Sequence, residues 1–81
     1  MNIEKMQFQG QLAELKKKFR TLDTEASGLV ILIRSLVNPY EEDLTKLETE
    51  KAQVSMTRLN SIVTELKTLK SKIEKMEENL D

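Results

Sequence analysis

Apolar residues recur along the first half of the chain at alternating steps of four and three. Phe8, Leu12, Leu15, Phe19, Leu22, Ala26, Leu29, Ile33 and Leu36 form one unbroken seam. A spacing of 3.5 residues per seam turn keeps a single stripe turned toward a neighbour lying lengthwise, so this segment reads as a helix packed against another helix. The helix is expected over about residues 3–37. Lys5 stands one seam step before Phe8, and Gly10 and Ser27-Gly28 are soft points, but none has the flanking turn residues that end a helix.

The seam stops at Asn38-Pro39. Proline pushes the residue before it out of the α region, which ends the first helix by Val37. Asn38 is a good cap, Pro39 fits a first helical position, and Glu41 stands where a capping-box carboxylate belongs. Glu41, Glu42 and Asp43 add negative charge at the positive end of a following helix dipole. A turn at 38–39 and a second helix over about 39–79 are therefore expected. The apolar face of that helix carries Leu44, Leu47, Val54, Leu59, Ile62, Leu66, Leu69, Ile73, Met76 and Leu80. Leu44–Leu47 and Leu59–Leu80 fall in heptad registers one residue apart, with the slip between Lys51 and Arg58, where supercoiling should relax.

Folding the two patterns about Asn38 sets Ile33 against Leu44, Phe19 against Arg58 or Leu59, and Leu12 against Leu66. It also sets Met1 against Met76, and the weak Lys51-Ala52 stretch against Ala26. The expected architecture is all-α: a long antiparallel two-helix hairpin, resembling a coiled coil, in a single domain over residues 1–81.

Composition agrees with this and narrows it. The 81 residues include no Cys, His or Trp, and 33% are charged, a profile of coiled coils rather than of mixed α/β globules. A hairpin this small buries one narrow stripe, and chains of about 70–80 residues rarely gain more than ~3–5 kcal/mol from a single core. With no disulfide or metal staple to draw on, self-association into a multi-helix bundle is the expected remedy, as a homodimer or higher oligomer.

The tip has more apolar surface than one partner helix can cover. Val30, Ile31, Leu32 and Val37 lie outside the seam, and a helix apolar nearly all round is one buried nearly all round. The candidate protein interface is Leu29, Val30, Ile31, Leu32, Ile33, Leu36, Val37 and Tyr40, with Arg34 placed to pair with Glu41, Glu42 or Asp43. The leading expectation is a non-enzymatic structural protein that self-associates through this tip. The alternative is an adaptor or assembly chaperone that takes an apolar helix of another protein in its groove.

A third alternative, weak association with nucleic acid, rests on Lys16-Lys17-Lys18-Phe19-Arg20. The net charge is −1, and Phe19 is committed to the seam, so the run reads as a solvated face rather than a nucleic-acid footprint. Catalysis has no support, because the commonest general base and the strongest side-chain nucleophile are both missing. The acidic runs lack the spacing of a calcium loop, and no cofactor or metal site is expected. The longest apolar stretch falls short of the ~18 residues or more that a membrane span needs. With no apolar leader at the amino end, a cytoplasmic location is expected.

Overall fold

A computed structural model describes residues 3–79, which form an elongated helical hairpin. Helix α1 spans Ile3–Leu36, and helix α2 spans Thr49–Glu78. Between them a connecting segment contains one 3-10 turn, Leu44–Lys46. The principal extents are 66 × 18 × 15 Å, two helices side by side and no third layer.

The seam of α1 is borne out residue by residue. Phe8, Leu12, Leu15, Phe19, Leu22, Ala26, Leu29, Ile33 and Leu36 are each buried or half-buried, and every other residue of α1 is exposed. Gly10 and Gly28 pass within the helix without breaking it.

The start of the second helix is corrected. It begins at Thr49 rather than Pro39. The carboxamide of Asn38 does accept an amide, but that of Tyr40, two residues on, at 2.9 Å, and the Asn38 carbonyl accepts from Glu41 N at 3.2 Å. Those bonds close a local turn. The expected capping-box carboxylate, Glu41, instead takes the amide of Asp43 at 3.1 Å. Asp43 then caps the 3-10 turn, accepting from Thr45 N and from the Thr45 hydroxyl. Leu47 is extended, and Glu48 N donates to the Leu36 carbonyl at 3.2 Å. That last bond ties the connection shut and satisfies one of the orphan carbonyls at the end of α1. A helix begun at Pro39 would run past the end of α1 with nothing to pack on, and short unpacked helices are marginal in water.

The seam of α2 is corrected with it. The shielded residues are Ala52, Ser55, Leu59, Ile62, Leu66, Leu69, Ile73 and Met76, an unbroken heptad, accompanied on its rim by half-buried Val63 and Glu65. No register slip occurs. Val54 and Leu44, expected on the apolar face, are 72% and 71% exposed. Small Ala52 and Ser55 hold the seam near the tip instead, because one continuous register beats two that change partway. The facing of the helices moves accordingly: Glu25, next to Ala26, grips Arg58 rather than lying beside Lys51-Ala52. The expected places of Met1 and Leu80 lie outside the described residues.

The core is thin. Leu12, Ala26, Leu36, Ala52, Ile62 and Leu69 are its buried members, with Ile62 the most enclosed at 1% exposure. No buried polar side-chain atom lacks a partner among the described residues.

Candidate interaction surface

Residues seven apart on each helix line up along one edge of the hairpin, and the two edges are built differently. On the first edge run Lys18, Glu25 and Leu32 of α1 beside Lys51, Arg58, Glu65 and Lys72 of α2. Charges of opposite sign face each other there. The Arg58 guanidinium holds both carboxylate oxygens of Glu25, at 2.7 and 3.1 Å, and Lys18 Nζ lies 3.0 Å from Glu65. The Arg58 hydrogen bond lowers the Glu25 carboxyl below its ordinary value, and the same contact raises the guanidinium. We call this the braced edge.

On the opposite edge run Lys16, Asp23, Val30 and Val37 of α1 beside Met56, Val63, Lys70 and Glu77 of α2. Far from the tip, Lys16 pairs with Glu77 at 2.9 Å. A groove of about 390 Å³ opens there, with Phe19 and Ile73 as its apolar walls and Lys16, Arg20, Lys70 and Glu74 around it. Toward the tip no ion pair spans the helices. Val30, Val37 and Met56 are 45%, 37% and 49% exposed. We call this the open edge.

The residues expected to form the tip interface divide into two sets. Leu29, Ile33 and Leu36 belong to the intramolecular seam. Val30, Ile31, Leu32, Val37 and Tyr40 face water, and Leu44 joins them from the connection. The shift of the helix start is what exposes Leu44, which sequence patterning had placed against Ile33. A second groove, of about 550 Å³, is bounded by Ile31, Arg34, Val37, Pro39 and Tyr40. Arg34 forms no ion pair with Glu41, Glu42 or Asp43.

Two of the four basic residues of the Lys16–Arg20 run are engaged within the hairpin. Lys16 and Lys18 each hold a glutamate of α2, and Phe19 is half-buried in the seam. Among the described residues no cluster of His, Cys, Asp or Glu is placed to hold a metal. Among the described residues no helix is long and apolar enough to cross a membrane. Compared with known protein families, curated proteins and solved structures, the chain matches none.

Proposed function

We propose that this chain is a non-enzymatic structural protein whose hairpins self-associate through the tip into a multi-helix bundle. One observation carries the reading: of the large exposed apolar side chains among the described residues, Val30, Ile31, Leu32, Val37, Tyr40, Leu44, Val54 and Met56 lie in the tip half of a molecule whose own core is a single thin stripe, and Ile3 and Met6 lie at the other end. Apolar surface gathered into one patch marks interaction sites, whereas scattered exposed residues do not. Covering it against a second copy removes that surface from water at ~25 cal/mol per Å², and adds a second layer to a core that two helices leave narrow.

Sedimentation of the wild type and of a Val30→Glu, Ile31→Lys double variant tests this. Neither position is in the intramolecular seam, so the variant is expected to keep its helicity while its mass falls to that of the 9.4 kDa monomer. A wild type that is monomeric on its own overturns the reading and favours the adaptor, whose tip takes an apolar helix of another protein.

A further inference from the structure

We infer that the second copy docks antiparallel along the tip half of the open edge, related by a two-fold axis that passes near Ser27 and Val30. This rests on the self-association proposed above and specifies its geometry.

On its open-edge side α1 presents a row of Asp23, Ser27, Val30, Arg34 and Val37, the positions that a helix lying along that side would meet. Beside it, α2 contributes Gln53, Met56, Asn60 and Val63, none of them charged. Depletion of charge at the centre is the compositional mark of a surface that becomes buried between proteins.

Within this strip the charged residues are Asp23 and Arg34. They have opposite signs, both are exposed, and neither takes part in an ion pair among the described residues. A two-fold contact makes residue i meet j while j meets i. Turning a second α1 antiparallel about a point between Ser27 and Val30 brings each Arg34 to the other copy's Asp23, twice over. The same operation sets small Ser27 against Val30. It also carries the two shafts in opposite directions, so the basic groups Lys16, Arg20 and Lys70 of one copy stay away from those of the other. A parallel arrangement does the reverse: it stacks Arg34 on Arg34, Asp23 on Asp23 and the basic groups on each other, which is repulsive throughout.

Charge reversal tests the pairing. Asp23→Arg alone and Arg34→Asp alone should each weaken the dimer by about tenfold or more, since each breaks two symmetry-related pairs and sets like charges together. The double variant should recover most of the loss. The chain has no cysteine, so single introduced cysteines report geometry independently. Ser27→Cys should form a disulfide-linked dimer on mild oxidation, and Asn38→Cys should not. A dimer indifferent to both single reversals, or one in which Asn38→Cys links more readily than Ser27→Cys, overturns this arrangement while leaving self-association standing. A monomeric wild type overturns both.

Discussion

The two edges of this hairpin are made from the same two helices, yet they are closed in different ways. Along the braced edge, Glu25 and Arg58, then Lys18 and Glu65, close the side of the seam with charge from within the chain. Along the open edge the equivalent positions near the tip include Val30, Val37, Met56 and Val63, which carry no charge with which to pair across the seam. Flanking positions of a helix pair ordinarily carry charges that set partner and orientation. Where those charges match inside the hairpin the edge is finished. Where they give way to valine and methionine, the edge is suited to another helix. One side of this two-helix unit is completed within the chain, and the other is left for the proposed second copy.

Both edges hang on the seam beneath them, so the largest effect comes from breaking that seam. Ile62 is 1% exposed, and Ile62→Ala should cost about 2–5 kcal/mol, with Ile62→Asp preventing folding altogether. The control is Val54→Ala, at a residue 72% exposed, which should stay within about 0.5 kcal/mol of wild type. Thermal melts followed by circular dichroism measure both, and equal losses would refute the corrected register of α2.

That register shows where sequence legibility ended. The seam of α1 could be read to the residue because large side chains occupy nearly every position, and the hairpin followed from Asn38-Pro39. In α2 the seam near the tip passes through Ala52 and Ser55, whose small side chains give almost no apolar signal, while exposed Val54 gives a strong one. Pattern reading followed the larger residue into a slip that does not exist. The cap residues misled in a related way. Asn38 and Glu41 both bond amides two residues on, and nothing local distinguishes a side chain that starts a helix from one that closes a turn. What decided was the end of α1, beyond which a helix finds no partner. The apolar tip residues of α1 and their division between seam and surface were legible in the heptad spacing, but the exposure of Leu44 and the contrast of the two edges needed the facing of the helices.

A smaller gain is expected at Gly28. A Cβ added there or at Gly10 meets nothing within 4 Å, and both lie inside α1. Gly28→Ala and Gly10→Ala should each stabilise the hairpin by about 0.5–1 kcal/mol, because glycine loses more backbone freedom on folding. Melting curves that shift down would place something against that face of α1.

The smallest effect belongs to the braced edge and is read best through pH. Arg58 lowers the Glu25 carboxyl, and Thr45 lowers that of Asp43. A carboxyl whose value is lower folded than unfolded adds stability that is present above the ordinary carboxylate range. It is lost as pH falls through the folded value. The wild type should therefore lose stability on acidification below about pH 4–5, and a Glu25→Gln variant should show a shallower loss over that window. Because the pair is exposed, added salt should narrow the difference. An identical acid limb in both proteins would mean that the pair does not brace the edge.

The contrast of edges is tested most directly by placing the same charges on each and measuring mass. Val30→Lys with Met56→Lys loads the open edge, and Thr21→Lys with Ser61→Lys loads the side that carries the Glu25–Arg58 pair, away from the apolar tip. All four residues are exposed, so the two variants differ in where the charge sits rather than in how much core they disturb. Sedimentation equilibrium should show the open-edge variant reduced to monomer and the braced-edge variant associated as the wild type is. Dissociation of both to the same degree, or of the braced-edge variant alone, would contradict the account.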